Sequence, residues 1–357
     1  MSRKIKIENQ EYDQTLEETT PDEGGVSKKR PRPTANDLPK IKDLSASAKF
    51  TKAKRLPTPD EIRVIRNGVR SYHDIQKLRI ATGNRLAANF RVKLGLASSA
   101  AEVSDSEAKK TLDVVRKEYR RITDGIIRIT RSFTSDSTVI TSYAELSLIE
   151  SYEQLLTAEG NAKSALDEYV TGFPIYTEYL SKIRGVGSVL SAVLIAEYDI
   201  VKTSTVSKMW AHAGLDVVVN ENGEGEGRSK RKNHLVPRTY TNRDGETVET
   251  VGITFRPLLK SVVVEIAASV FIKLGNQYTH LYYDYKHRLE HHAKYKDVSK
   301  GHRDRMAKRY MMKIFLQDLY PVWRTMYDLD VTLPYHEAKL GMVHHEKGSA
   351  AHTGGAV

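Results

Sequence analysis

Two closely spaced glycines lie in an otherwise apolar stretch, residues 180–192, LSKIRGVGSVLSA. Gly185 and Gly187 permit a tight turn with exposed backbone N–H groups, because glycine has no Cβ to block a ligand. A helix that begins after such a turn can hold a phosphate at its positive amino end. The neighbouring cations increase the attraction. We therefore predict a phosphate-binding turn made of Lys182, Arg184, Gly185, Val186, Gly187 and Ser188.

The same stretch fits the helix-hairpin-helix pattern h-x-x-h-x-G-h-G-x-x-x-A, with apolar Leu180 and Ile183 in its first helix. We expect two helices over residues 179–198, joined at the glycines. Contacts of this kind position a protein on DNA without reading the base sequence. The alternative is a plain pair of helices, since one G-h-G match is only moderately specific.

A basic segment follows at residues 228–243, RSKRKNHLVPRTYTNR, with six Lys or Arg residues and no acid. Beside a phosphate-binding turn, these cations would extend the same surface along nucleic acid. The additional nucleic-acid-binding residues that we predict are Arg228, Lys230, Arg231, Lys232, Arg238 and Arg243.

The late part of the chain is also basic, with thirteen Lys or Arg residues against five acids over residues 256–313. Tyrosines interleave with these cations, and we expect most of them at the edges of the core rather than as stacking platforms. His287 and His291 stand four residues apart, a spacing that can hold zinc on a helix. Because the chain has neither cysteine nor an H-E-x-x-H motif, we favour a basic helix surface and predict no metal site.

Long helices must position these residues. Apolar stripes predict helices over about 58–94, 106–133 and 143–169, the first of them capped by Thr58 with proline at its first position. Such helices joined by short loops suggest an antiparallel coiled coil or bundle. Further helices are expected over 256–274, 278–292 and 302–327.

Between these helices we predict a β-rich piece at 215–219, a polar glycine loop at 220–227 and a β-hairpin. The hairpin strands are residues 235–240 and 246–255, with Asp244-Gly245 in the turn. The fold class is thus mainly α, a long helical coiled-coil arm followed by a helix-hairpin-helix domain with a small β-hairpin insertion. The predicted divisions are a disordered charged tail at 1–57, the arm at 58–171, a nucleic-acid-binding domain at 172–330 and a flexible tail at 331–357.

Composition limits the function classes. The 357 residues carry a net charge of +11, which favours a polyanionic partner. The absence of cysteine excludes disulfides and thiol nucleophiles, and no apolar run is long enough to span a membrane. We expect no membrane partner, no secretory signal and a cytoplasmic, nucleoid-associated location.

The flanks of the glycine turn sharpen the interpretation. Residues 183–199, IRGVGSVLSAVLIAEYD, and 206–215, VSKMWAHAGL, resemble the C-terminal domain of insertion-sequence one-ten transposases, a family shared with the one-sixteen and nine-oh-two types. The family pattern is P-G-[IV]-G…A…[LI]-A-E-[IY]-[GD], followed by a stretch ending in Y-A-G-L. Arg184 replaces the usual proline, and His212 replaces the usual tyrosine. The resemblance covers about residues 172–330 and extends less closely to the arginine-rich helix at 58–94.

The resemblance implies recombination of mobile DNA elements guided by a structured RNA. It also implies an N-terminal RNase-H/RuvC-like domain with a carboxylate metal cluster, and a serine in the C-terminal domain that attacks DNA. No strand ending in aspartate precedes Pro57, and residues 58–170 are predicted helical, so we expect that metal domain to be missing. The family's serine position falls in the glycine loop 220–227, which has no serine.

Ser229 is the nearby serine and the one catalytic candidate, because its flanking cations would stabilise an alkoxide. The favoured alternative is that Ser229 is a polar loop residue, since a seryl–DNA mechanism also needs a base.

We therefore expect a transposase-like protein that binds DNA, a structured guide-like RNA, or both, and that lacks independent catalysis. No cofactor is required for binding, and a role for Mg²⁺ is left open. A homodimer through the helical arm is a further expectation. The rival hypotheses are an active serine-using recombinase that obtains metal chemistry from a partner, and a purely structural helical protein.

Overall fold

The computed structural model describes residues 53, 55–95, 105–124, 130, 133, 135–219, 225–227 and 235–332, with side chains left undescribed at 105, 217–219 and 225–227. Within this part the chain is mainly helical with a small antiparallel β-hairpin, which confirms the predicted fold class. Most of the two predicted tails, and the segment 228–234 with Ser229 and four predicted cations, lie outside the described residues. The described chain forms two compact units, Asn67–Glu168 and a second unit of residues up to Arg66 together with Tyr169 onward.

In the described residues, the first unit contains most of α1 (Pro59–Lys93), all of α2 (Asp105–Thr123) and most of α3 (Tyr143–Val170). The amino end of α1 has the expected cap, because Thr58 Oγ1 accepts from Glu61 N and Glu61 Oε2 accepts from Thr58 N, at 3.2 and 2.7 Å. The Arg55 guanidinium and the Thr58 N–H together lower the pKa of Glu61 to about 2. The core of the unit is formed by Leu86, Phe90, Val115, Ile140, Leu146, Ile149 and Tyr152.

Helices α1 and α3 run antiparallel, as contacts along their length show. Leu166 lies against Gly68 and Tyr152 against Gly83, each 3.0 Å from where a Cβ would stand. Ion pairs fix the same arrangement. They are Arg79–Glu159 and Lys93–Glu145 between α1 and α3, and Arg116–Glu153 between α2 and α3.

Helix α2 ends at Thr123, ten residues before the predicted end at Phe133. The described residues just before α3 are held by local side-chain hydrogen bonds. Ser137 Oγ accepts hydrogen bonds from the backbone N–H groups of Val139 and Ile140, both at 3.1 Å. Such local side-chain bonds give the backbone an alternative to helix.

The second unit places short helices around one long helix. Its helices are α4 (Pro174–Glu178), α5 (Ser188–Glu197), α6 (Val206–His212), α7 (Pro257–Lys260), α8 (Ala268–Leu274), α9 (Thr279–His291) and α10 (Lys300–Met326). A π-helical segment, Ser261–Ala267, joins α7 to α8 where a single α-helix was expected. Short 3₁₀ turns lie at Leu180–Lys182 and Ala293–Tyr295.

The core of the second unit surrounds α10, which packs against α6, α8 and α9. Phe271, Tyr278 and Phe315 form an aromatic cluster with ring centroids 5.4 to 5.9 Å apart. Tyr278 and Tyr282 are almost fully buried, as expected for core residues. Their burial excludes them as base-stacking platforms in this conformation.

Four short strands form two antiparallel pairs. Strand β1 (Val217–Val219) pairs with β2 (Gly225–Gly227), so the end of the predicted glycine loop is in fact a strand. Strand β3 (Leu235–Thr241) pairs with β4 (Thr247–Ile253), which confirms the hairpin. Its turn is closed by Asn242 Oδ1, which accepts from the N–H groups of Asp244 and Glu246, each at 2.9 Å.

Candidate nucleic-acid interface

The predicted phosphate-binding turn connects the 3₁₀ turn Leu180–Lys182 to α5. In the predicted helix-hairpin-helix, the first helix is thus replaced by this short 3₁₀ turn. Tyr179, at φ −133°, leaves helical geometry and ends α4, so α4 does not continue into the turn. The turn itself is tight, with the Val186 N–H donating to the Ile183 carbonyl at 3.0 Å. Val186 and Ser188 are buried, and they hold the turn against the core.

The two glycines of the turn have different surroundings. Gly185 has φ +91°, and a Cβ there would lie 3.1 Å from Val270 and 3.3 Å from Phe271 on α8. Gly187 has φ −91° and ψ 179°, and a Cβ there would meet no atom within 4 Å. Gly185 therefore permits the bend and its close packing, whereas Gly187 leaves the outer surface of the turn open.

A buried side chain two residues after the end of α8 holds the turn in place. Asn276 Nδ2 donates to the Arg184 carbonyl at 3.0 Å, and its own Oδ1 accepts from the Tyr278 N–H at 3.0 Å. Asn276 is 3% exposed, so its bonds are protected from water. No sequence pattern indicated this residue, because Asn276 is 92 positions away from Arg184 along the chain.

The amino end of α5 is the part of the turn that can receive an anion. No side chain of the described residues caps it, and Gly187 precedes it in extended conformation. Ser191 donates through both its N–H and its hydroxyl to the Gly187 carbonyl, at 3.0 and 2.9 Å. The Gly187 carbonyl is thus already hydrogen-bonded within the helix. The amino end of the helix keeps its partial positive charge.

The cations at the turn are exposed. Lys182 is the last residue of the 3₁₀ turn and pairs loosely with Glu178 at 3.5 Å. The Arg184 side chain is exposed while its carbonyl is held by Asn276. The structure therefore places the predicted residues along one continuous turn between the 3₁₀ turn and the start of α5. They are Lys182, Arg184, Gly185, Val186, Gly187 and Ser188.

The two predicted cations of the β3–β4 hairpin, Arg238 and Arg243, have different surroundings from each other. Arg238 on β3 donates through Nη2 to the Ile253 carbonyl at 2.9 Å and lies across Gly252 of the neighbouring strand. Arg243 lies exposed in the turn, next to Asp244 and Glu246. The described hairpin thus mixes both charges, and the predicted acid-free surface depends on residues 228–234, outside the described part.

The segment 206–216, which carries the second half of the family pattern, ends α6 in a tight turn. Gly214 has φ +65°, and the Leu215 N–H donates to the Trp210 carbonyl at 2.8 Å. This is the Schellman arrangement, in which a left-handed glycine ends the helix. His212 Nε2 lies 3.0 Å from the Glu197 carbonyl at the end of α5, so this residue links the two helices of the pattern.

Three further cations lie near that turn, and sequence analysis named none of them individually. They are Lys260 on α7 and Arg309 and Lys313 on α10, all partly buried. Arg309 Nη2 donates to the Gly214 carbonyl at 3.1 Å. The spacing of Arg309 and Lys313, four residues apart on one helix face, was the available signal.

The described part of the chain has no helix long and apolar enough to cross a membrane. It also has no group of three or more metal-ligating side chains placed to share an ion. His287 and His291 do lie together, with ring centroids 4.0 Å apart, and His291 Nδ1 lies 2.8 Å from the His287 carbonyl.

The second unit is therefore a helical domain organised around a glycine turn, with a β-hairpin inserted after the second half of the pattern. Residues 177–239, which contain the turn, the Trp210–Leu215 segment and most of β3, match the family model described as Transposase IS116/IS110/IS902 family. This match confirms the resemblance for that segment and supports a transposase-related role. No curated protein and no solved structure matches the chain.

Proposed function

We propose that the second unit binds DNA through backbone phosphates at the glycine turn, in a role related to the movement of mobile elements. The observation that carries this proposal is the open amino end of α5 at Gly187. A phosphate there would receive backbone N–H donors and the positive end of the helix dipole. The transposase family match over 177–239 makes DNA the expected source of that phosphate.

The charged side chains near the turn support the same proposal. Lys182 and Arg184 flank the open backbone, and both side chains are exposed. Cations of this kind contact phosphates on either side of a central one and release counterions. Binding is expected to be insensitive to base sequence, because backbone and cation contacts reach phosphate rather than base edges.

The test compares two glycines that both face open space. Gly187→Val adds a side chain where phosphate would approach, and its negative φ makes valine compatible with the fold. Gly301→Val is the matched control, because a Cβ at Gly301, near the start of α10, also meets no atom within 4 Å. Binding of a labelled 30-base-pair duplex to the intact chain is measured by fluorescence anisotropy.

We expect Gly187→Val to lose at least about tenfold in affinity and Gly301→Val to bind as the wild type does. Wild-type affinity should itself fall at least about tenfold between 50 and 200 mM salt, if two or more phosphates are contacted. Equal affinities of the two variants, with both folded by circular dichroism, would contradict the role of the turn. A structured RNA that binds much more tightly than the duplex would make RNA the ligand instead.

We also propose that this chain alone does not cleave DNA. In the described residues between Pro59 and Val170 the elements are helices, where the transposase resemblance would require strands that end in carboxylates. The rival is a serine mechanism through Ser229. Incubation with labelled element-end DNA and divalent metal, followed by denaturing electrophoresis, decides between them, because a covalent adduct that disappears in Ser229→Ala would establish the rival.

Association of two copies through the helices of the first unit stays a prediction. Sedimentation of the intact chain tests it directly, since a dimer doubles the mass. The functional proposal does not depend on the outcome, because the glycine turn lies within one copy of the second unit.

A further inference from the structure

The turn Gly214–Asp216 is surrounded by three cationic side chains from two helices. Arg309 Nη2 donates to the Gly214 carbonyl at 3.1 Å. Lys260 passes close to the same glycine, with its Cδ 3.1 Å from where a Gly214 Cβ would stand. Lys313 is four residues from Arg309 on α10, and its ammonium group lies over Trp210 near the end of α6.

Aromatic rings and a carbonyl hold these cations in place. Lys260 Nζ lies 4.5 Å from the centroid of the Phe255 ring, and Lys313 Nζ lies 5.2 Å from that of Trp210. The Trp210 ring is itself fixed, because its Nε1 donates to the Lys313 carbonyl at 3.0 Å. Cation–π contacts of this kind orient an ammonium group while leaving it able to donate to another ligand.

The three cations share the same acids. Within the described part of the chain, Asp216 attracts Lys260, Arg309 and Lys313, and Glu265 attracts Lys260 as well. Burial lowers the pKa of Lys260 and of Lys313, and repulsion from Arg309 lowers both further. A group of like charges that is partly removed from water is costly without an anion to balance it.

We propose that Lys260, Arg309 and Lys313 form a phosphate-binding site beside the Gly214–Asp216 turn. Guanidinium and ammonium groups together supply the charge-assisted donors that a tetrahedral oxyanion accepts. The site is separate from the amino end of α5 and uses side chains instead of backbone N–H groups. Its assignment to a phosphodiester of nucleic acid rests on the proposed function, whereas the phosphate chemistry itself does not.

The test measures binding of inorganic pyrophosphate to the intact protein by calorimetry, with ionic strength held constant by sodium chloride. Lys313→Met removes the charge but keeps the aliphatic chain that packs near Trp210. Arg309→Met is a second variant of the same kind. Lys202→Met is the control, because Lys202 belongs to the same unit, is 86% exposed and forms an exposed ion pair with Asp199 at 3.3 Å.

We expect pyrophosphate to bind the wild type and Lys202→Met equally, and to bind Lys313→Met and Arg309→Met at least about tenfold more weakly. Without pyrophosphate, Lys313→Met should melt no lower than the wild type, because one repelling charge has been removed. A purely structural role predicts the reverse, a lower melting temperature with pyrophosphate affinity unchanged, and that result would overturn the proposal. If Arg309→Met does not fold, Lys313→Met alone decides.

Two further measurements identify the source of the phosphate and separate this proposal from the proposed function. Gly187→Val should keep pyrophosphate binding while it loses duplex binding. Pyrophosphate binding in a wild type that binds no nucleic acid would uphold the site, assign it to a free phosphate compound and contradict the proposed function. Duplex binding that is equal in Lys313→Met and the wild type, with no pyrophosphate binding, would overturn the site and leave the proposed function intact.

Discussion

In the first unit, Arg79 and Arg116 each reach a glutamate on α3, whereas in the second unit Arg309 reaches a carbonyl and Lys313 an aromatic ring. All four residues are basic, but each of the two in the first unit has its own glutamate, whereas Arg309 and Lys313 share Asp216 with Lys260. The arginines of α1 were expected to belong to an arginine-rich arm. Arg79 is 8% exposed and paired with Glu159, so it serves the interior of that unit.

The comparison shows that net charge alone does not locate a binding surface. A buried cation depends on its own carboxylate, because removal of that partner leaves an uncompensated charge in the interior. Cations that share a carboxylate are the ones for which we propose anion binding. The first prediction below tests the paired cation of the first unit, and the next two test the packing and the protonation of the second unit.

The largest effect is expected in the first unit. Glu159→Ala leaves the Arg79 guanidinium buried without its carboxylate, which should reduce the free energy of unfolding by about 3–5 kcal/mol. Asp74→Ala is the control, because its ion pair with Lys77 lies at the surface, and it should cost no more than about 1 kcal/mol. Urea unfolding, monitored by hydrogen exchange of peptides from residues 67–168, measures both. Equal losses of stability in the two variants would mean that the buried ion pair contributes no more than a surface ion pair.

A smaller effect is expected at the turn of the second unit. Gly185→Val forces a β-branched residue to φ +91° and against Val270, which should cost roughly 2–5 kcal/mol. Gly187→Val should change the free energy of unfolding by less than about 0.5 kcal/mol, because the site is exposed and has negative φ. The two variants thus separate packing from binding within one turn. A stable Gly185→Val protein would show that α8 can move away from the turn.

The smallest effect concerns histidines in the second unit. Burial lowers the pKa of His212 and of His280 in the folded protein. The unfolded chain, with the ordinary imidazole value of about 6.5, then binds more protons, so stability is fully present above that pH and is lost as pH falls below it. Urea unfolding at pH 7.5, 6.5 and 5.5 should show this loss, and His212→Gln should reduce it. Stability that rises toward pH 5.5 would contradict the assignment.

Local features of the fold were predictable from the sequence. The stripe that includes Ile65, Val69, Tyr72, Leu86 and Phe90 is buried, because these residues share one face of α1. The cap at Thr58 and the hairpin turn at Asp244-Gly245 were also predicted correctly, because each depends only on residues that are close in sequence. Leu78 falls in the same apolar pattern, but it is 51% exposed, so the pattern does not decide burial at every position.

Features that join distant parts of the chain were not predictable. The Asn276 bond to Arg184, the Arg79–Glu159 pair and the approach of Lys260 to Arg309 each connect residues that are far apart in sequence. Periodicity identifies which face of a helix is apolar, but not which helix covers it. For the same reason the predicted site contained the glycine turn, which is local, and omitted the cations of α7 and α10.

The β3–β4 hairpin carries little buried surface, since side chains on both its faces are exposed or only partly buried. Its ladder is closed by the bonds of Asn242, and Tyr240 and Val251 project into solvent at 53% and 63% exposure. Opening this ribbon would therefore cost much less free energy than unfolding the helices that flank it. The amides of 235–253 should exchange with deuterium early and as one cooperative group, while those of α10 exchange late.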